Sequence, residues 1–448
     1  MSRAATIFLV AAAVAAAVFA AIFIPLRHGA DRPVGSPLFD FDPDAVRSIK
    51  ITNGDKVFDL KKSENGWMIG PEPVDRASVE AIGRLIAAAK GTPIVDRIAA
   101  GEISDRDRLS EYGLRKSAVQ FDFKGDRDHP LLIGKDAASE KLVYVRFEDS
   151  REVYLIPDDL VRLIMAPAQN YRDRMMFRLR PDRVERLVIR RPSGEIELRR
   201  DGGGWKIVKP LSARAGGPAV AEFLKKLLGM RVEGFDPADE PSATGLAEPV
   251  AEVLAYGEGE LEPEVVRLGE ETAGARHAWL SPRNVGARLP ASIMDLLAVD
   301  PATFRDPAIA RINPDMVDKI RIASPGNSFE IARADGSWKI GGRAVTESSV
   351  DRMLAALADA KTVRHEAATD SALEKSDLVH PVLTVGFYSV VSENTPESPA
   401  GEQVIAEFAF ARAGADLAVH EAGAPEIGFT GASVLDSIPG EPSAWTAP

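Results

Sequence analysis

The sequence contains no cysteine. Disulfides, thiol nucleophiles and cysteine-bound zinc are therefore excluded. It is also short of positive charge, with 55 Lys and Arg against 67 Asp and Glu and a formal net charge of −12. An acidic chain is a poor match for a polyphosphate backbone, so nucleic acid is not expected as a partner. Basic residues are scarcest toward the carboxyl end, where residues 391–448 hold nine acids and one base, Arg412. They crowd instead into 170–191, which holds eight arginines and three acids. Such asymmetry mostly reports solvated surface.

The familiar catalytic motifs are missing too. The six histidines, His28, His129, His277, His365, His380 and His420, show no metal-ligand spacing, and surface or loop positions are expected for them. Gly134-Lys135 is not a phosphate loop, which would need glycine where His129 stands and Ser or Thr where Asp136 stands. The glycine-rich "DGGGW" at 201–205 precedes a strand pattern and reads as a hairpin turn. No Gly-x-Ser-x-Gly elbow occurs. The acidic pairs Asp158-Asp159 and Glu270-Glu271 read as a helix cap and a solvated turn, not as paired acid and base. Neither a cofactor nor a metal is expected.

One long apolar run is present. Residues 4–26 carry no charge, and as a helix they would rise about 34 Å, enough to cross a hydrocarbon core. A cleaved signal peptide is the competing reading, but its apolar region is shorter and ends in polar sequence. An uncleaved single-pass anchor is favoured. The flanking charges, Arg3 on one side and Arg27 and Arg32 on the other, nearly cancel. The expectation is a bacterial inner-membrane protein with residues 27–448 outside the cytoplasm, and Pro33, Gly35 and Pro37 as a short stalk.

The rest of the chain is self-similar. "YRDRMMFRLRPDRV" (171–184) and "FRDPAIARINPDMV" (304–317) place an aromatic, Arg-Asp, Pro-Asp and Val at the same offsets. Val46, Val184 and Val317 each precede a tryptophan by 21 residues: Trp67, Trp205 and Trp338. Such periodicity points to three tandem copies of one unit.

Each copy begins with alternating apolar residues around a turn at 53–54, 192–194 or 325–327, the pattern of a β-hairpin. The tryptophan opens a further strand and is expected in the core. An amphipathic helix follows, with Val79, Ile82, Leu85 and Ile86 in the first copy. The second has Val220, Phe223, Leu224, Leu227 and Leu228, and the third Val350, Met353, Leu354 and Leu357. Asp75 or Ser78, and Thr346 or Ser348, are the candidate caps. "YGL" (112–114), "TGL" (244–246) and "SDL" (376–378) open the second halves, with strands expected at 118–123, 250–256 and 382–388. "PDDLVRLI" and "PASIMDLL" close the first two copies as short helices, the former capped by Asp158 or Asp159. The third carries a polar insertion, "SENTPESPAGEQ", and is expected to end in an exposed Pro-rich tail.

The reading is α+β: a transmembrane helix (1–26) followed by repeat units at 27–168, 169–301 and 302–448, the last with an acidic tail. Each is an antiparallel β-meander with one or two helices. Tyr171, Arg172, Asp173, Phe304, Arg305 and Asp306 are the candidate contacts between units or to a partner. Gripping an anionic partner is one role for these arginines. An ion pair or backbone clamp that fixes one unit to the next is favoured, because the pair stands at the boundaries.

The hairpin, the tryptophan and the amphipathic helix, with "YGL", "LLIG" (131–134), "YVRF" (144–147) and "VYLI" (153–156), resemble the bacterial family known as domain of unknown function 4340. The resemblance is best over 46–164, and the "YRD" connector is also typical of it. The second copy has "HAWL" (277–280) in place of "YVRF", and the third lacks "YGL" and "LLIG". The resemblance implies a membrane-anchored envelope protein acting beside ABC-type transporter subunits, without an assigned activity. The expected function is a non-catalytic scaffold or transporter accessory. A binding module for a peptide or envelope polymer, with tryptophan as stacking platform, is the alternative, and an envelope hydrolase ranks last.

Overall fold

The structure, a computed structural model, describes residues 32–446 apart from 54–55, 65, 72–73, 104–105, 115–116, 124–129, 139–140, 237–243, 282 and 392–400. Among the described residues no helix is long and apolar enough to cross a membrane, and the apolar run at 4–26 lies outside them.

The fold is mixed α+β, with antiparallel sheets and few helices. Among the described residues, three sheets of nine strands share one strand order. In the first, the strands lie side by side as Asp75–Arg76, Gly66–Gly70, Lys56–Ser63, Val46–Asn53, Ser117–Phe123, Leu131–Asp136, Leu142–Phe147, Val153–Pro157 and Asp96–Ile98. In the second they are Ala213–Ala215, Gly204–Lys209, Gly194–Asp201, Val184–Arg191, Ala251–Gly257, Glu264–Thr272, Ala275–Ser281, Val285–Pro290 and Gly234–Phe235. In the third they are Arg343–Ala344, Ser337–Ile340, Asn327–Ala334, Lys319–Ser324, Leu383–Val391, Gly401–Ala413, Asp416–Glu421, Glu426–Gly431 and Arg364–Ala367. The expected hairpins close over two residues each, with Asn53 opposite Lys56, Arg191 opposite Gly194 and Ser324 opposite Asn327.

By compactness the chain divides into two units. One takes the chain to Met175 with Arg231–Glu240 and Trp279–Leu289, and the other takes Met176–Met230, Pro241–Ala278 and Pro290 onward.

One helix accompanies the first half of each sheet: α1 (Val79–Gly91), α2 (Gly217–Leu228) and α3 (Glu347–Asp359). The stripes Val220, Phe223, Leu224, Leu227, Leu228 and Val350, Met353, Leu354, Leu357 are buried as the spacing predicts. In α1 the stripe shifts. Val79 is exposed and Ala81, Ile82, Leu85 and Ala89 are buried, because Ser78 caps the helix and turns its first residue outward. Thr346 caps α3 without a side-chain bond. The Asp158–Ile164 helix starts behind Pro157, which puts Asp158 and Asp159 in its first turn, bonded to Arg162. There they favour the helix through its dipole and do not cap it. Trp67, Trp205 and Trp338 are all buried.

The signatures that open the second halves share one backbone feature. Gly113, Gly245 and Asp377 all have positive φ, and Leu114, Leu246 and Leu378 after them are buried. Glycine takes this conformation freely, and a short polar residue tolerates it. The glycine of "LLIG" answers the same turn. A Cβ on Gly134 would stand 2.2 Å from the Tyr112 carbonyl oxygen, and one on Gly269 would stand 2.1 Å from that of Thr244.

Two expectations about the ends are overturned. The stretch read as a stalk is docked: the Gly35 amide bonds Ile94, the Leu38 amide bonds Thr92, and Leu38 is wholly buried. The tail read as exposed is anchored by Trp445, which is 1% exposed, joins the third core and donates its indole N–H to Pro439. A large aromatic outweighs the surrounding proline and glycine, because burying it removes far more apolar surface from water.

Candidate functional site

The Arg-Asp pairs stand on two extended connectors. Each makes an isolated bridge at its start, Ala77 with Arg172 and Ala215 with Arg305, and another at its end, Met175 with Arg231 and Ala308 with Lys361. The flanking hydrogen bonds also correspond. The Asp173 amide donates to the Arg76 carbonyl and the Asp306 amide to that of Arg214. The Val232 amide donates to the Arg174 carbonyl and the Thr362 amide to that of Pro307. Each connector therefore satisfies the edge strand before it and the segment leading into the edge strand after it, two sets of backbone groups that would otherwise lack partners.

The aromatics anchor the connectors backwards. Tyr171 is buried, stacks near Phe58 and donates its hydroxyl to the Leu163 carbonyl at 2.5 Å. Phe304 is buried edge-on against Phe223 of α2, with ring centres 5.0 Å apart. The aspartates turn the chain: Asp173 accepts from the Met175 amide and Asp306 from the Ala308 amide, both two residues on.

The arginines differ. Arg172 Nε donates to Asp75 at 2.8 Å, and the guanidinium lies over the Phe235 ring. Asp75 has no exposed side-chain surface. Its carboxylate accepts four bonds: from Arg172 Nε, from Arg283 Nε and Nη2, and from the Arg76 amide. Arg283 also donates to the Met175 and Asp173 carbonyls. Burial pulls the Arg172 guanidinium below its ordinary value, with Asp75 pulling it back up. A buried carboxylate with every lone pair engaged is the arrangement that tolerates desolvation.

On the second connector Arg305 turns to the strand Glu426–Gly431 and donates Nη2 to Glu426 at 2.7 Å. Its Nε is buried without a hydrogen-bond partner. Asp306 is gripped by both arms of Arg311. Burial pushes Asp306 up, but Arg311 and the Ala308 amide outweigh it and hold the carboxyl below its ordinary value. Burial raises Glu426, against Arg305. A cleft of about 950 Å³ opens here, lined by Arg305, His365, Ala213, Ala424 and Trp205 among others. His365 is half-buried, and burial and the Arg305 charge lower its pKa. The turn at 201–204 borders the same cleft.

The structure thus separates the six connector residues into two sets of three and gives each set buried or half-buried partners of its own. The tryptophans lie beneath the surface and offer no broad stacking face, although an edge of Trp205 reaches the cleft. Sequence reading missed Asp75 as an ion-pair centre, Arg283 and His365. Asp75 looked like a helix cap, and Arg283 lies 110 residues beyond Asp173 with no local pattern to mark it. Among the described residues no group of three or more His, Asp or Glu is placed to hold a metal ion.

Residues 73–249 match the family described as domain of unknown function (DUF4340), so the resemblance is to that family. The match starts later and runs further than 46–164, holding Asp75, the first connector and Phe235 but not Arg283. No curated protein matches the chain. Two solved structures from Pseudomonas aeruginosa align with it, a DNA polymerase sliding clamp with ligand and a DNA polymerase III subunit beta. The identities are 10% and 9%, covering 88% of this chain and 93% and 94% of theirs, with a TM-score of 0.16 for each. Such scores are too low to bear on fold or function.

Proposed function

We propose that the chain is a non-catalytic, membrane-anchored envelope protein, a scaffold or accessory to an ABC-type transporter, built from one α+β unit used three times. The observation that carries the reading is the agreement of the two connectors. They repeat the same bridges, the same aspartate turn and the same buried aromatic between sheets of one strand order. Conspicuous polar residues are thereby engaged in joining the body, which suits a spacer more than an active site. The anchor rests on the apolar run at 4–26. Close behind it, Arg32 donates to the Leu38 carbonyl and lies over Phe147, so a folded body would begin within a few residues of the membrane. The transporter class comes from the family resemblance.

The test is co-purification. The full-length tagged chain, expressed at its native level and extracted in mild detergent, is expected to bring down a transporter's membrane-spanning subunit in near-equal amount. Recovery of the chain alone, under conditions that keep known membrane complexes intact, contradicts the proposal.

A further inference from the structure

The two connectors can be superposed residue on residue through their bonds, and the comparison shows what the second one lacks. Arg172 corresponds to Arg305 through the bridges to Ala77 and Ala215. Arg76 corresponds to Arg214, since their carbonyls accept from Asp173 and Asp306. The residue before each is Asp75 in the first case and Ala213 in the second. Phe235 pairs with Ala287 as His365 pairs with Gly428. Four residues before Ala287 stands Arg283, and four before Gly428 stands Ala424. The carboxylate and the guanidinium that fill the first connector's pocket are thus both alanine at the second, and both alanines line the 950 Å³ cleft.

Arg305 Nε, the counterpart of the atom through which Arg172 holds Asp75, has no acceptor. The Arg305 side chain is 19% exposed and lines the cleft, with Glu426 on one arm only. The other charges at the cleft balance. Asp306 is held by Arg311, while Lys206 and Arg214 offset Asp201 and Glu421, these four lining the cleft without an ion pair among the described residues. A balanced lining favours a ligand carrying both signs over a simple anion.

We propose that this cleft binds a small zwitterion, a basic amino acid or the basic end of a short peptide. Its carboxylate lies against the Arg305 guanidinium as Asp75 lies against Arg172. Its cationic group lies toward the Asp306 carbonyl as Arg283 lies toward that of Asp173. His365 flanks it where Phe235 flanks the internal pair. The cleft falls within the size range of small-ligand and short-peptide sites. The inference goes beyond the scaffold reading and does not depend on it.

Equilibrium dialysis of the full-length chain with radiolabelled L-arginine and with Gly-Arg provides the test. Saturable binding at a single site is expected for at least one of them. Blocking the carboxylate, as in L-argininamide or Gly-Arg amide, is expected to weaken it at least tenfold. A double variant, Ala213→Asp with Ala424→Arg, installs the first connector's pair in the cleft and is expected to abolish binding while circular dichroism stays unchanged. Lack of saturable binding for both probes overturns the proposal, as does equal binding of the amides. The amide comparison uses the unaltered chain, so it decides even if the double variant misfolds; unchanged binding in a folded double variant would also overturn it.

Discussion

Asp75 and Arg283 are a charge pair of the kind that is costly to break. Their side chains are 0% and 4% exposed, and Arg283 makes four hydrogen bonds, from Nε and Nη2 to Asp75, from Nη1 to the Met175 carbonyl and from Nη2 to the Asp173 carbonyl. Removing Arg283 leaves the buried Asp75 carboxylate with Arg172 and the Arg76 amide alone, two of its four hydrogen bonds unmade. Arg283→Ala is expected to cost about 3–5 kcal/mol in denaturant unfolding. Glu80→Ala, which removes an exposed pair with Arg84, is expected to cost under about 0.5 kcal/mol. His365 gives a second prediction. Its folded pKa is depressed, so the native state holds fewer protons than the unfolded chain as pH falls through the ordinary histidine value of 6.5. Its contribution is present above that value and lost below it. His365→Gln is therefore expected to flatten the fall in melting temperature between pH 7 and pH 5. Glu426, raised by burial, works in the opposite direction nearer pH 4.5 and is untouched by the substitution. An equal or steeper fall in the variant contradicts this account. The arginines of both connectors were legible as a repeated spacing. Their partners were not, because Asp75 and Arg283 lie 208 residues apart with no local pattern to join them.

At the scale of elements, the sequence is most legible where the period is strong. The α2 and α3 stripes, the hairpin turns and the three central strands stand where alternation and 3.6-residue spacing place them. It is least legible at ends, where one residue decides. Ser78 rotates α1 by fixing its first turn, and Trp445 draws in a tail whose composition reads as exposed. The glycines separate two meanings of one residue. Gly134 meets the Tyr112 carbonyl across a turn, so Gly134→Ala forces backbone to move and is expected to cost about 1–3 kcal/mol. Gly83 lies inside α1 with nothing within 4 Å of a built Cβ, so Gly83→Ala is expected to stabilise by about 0.5–1 kcal/mol. A Gly134→Ala variant that melts no lower than the parent would show that the close approach at Gly134 does not constrain the turn.

At the scale of the whole molecule, the α+β class follows from alternation, turn chemistry and short connections acting together, while the pairing of Val46–Asn53 with Ser117–Phe123 is long-range and carries no local signal. The division by compactness does not follow the sequence periodicity: Arg231–Glu240 and Trp279–Leu289, on the edge of the second sheet, group with the first. The Asp75–Arg283 pair gives one physical reason, since it joins residues 208 positions apart. The central claim is that the connectors hold edges of successive sheets together. Native-state hydrogen exchange on the full chain, comparing it with the Asp75→Ala/Arg283→Ala variant, tests this most directly. Faster exchange is predicted at Asp75–Arg76 and at Gly234–Phe235, with Lys319–Ser324 of the third sheet unchanged. Protection left unaltered at both edges would contradict the claim.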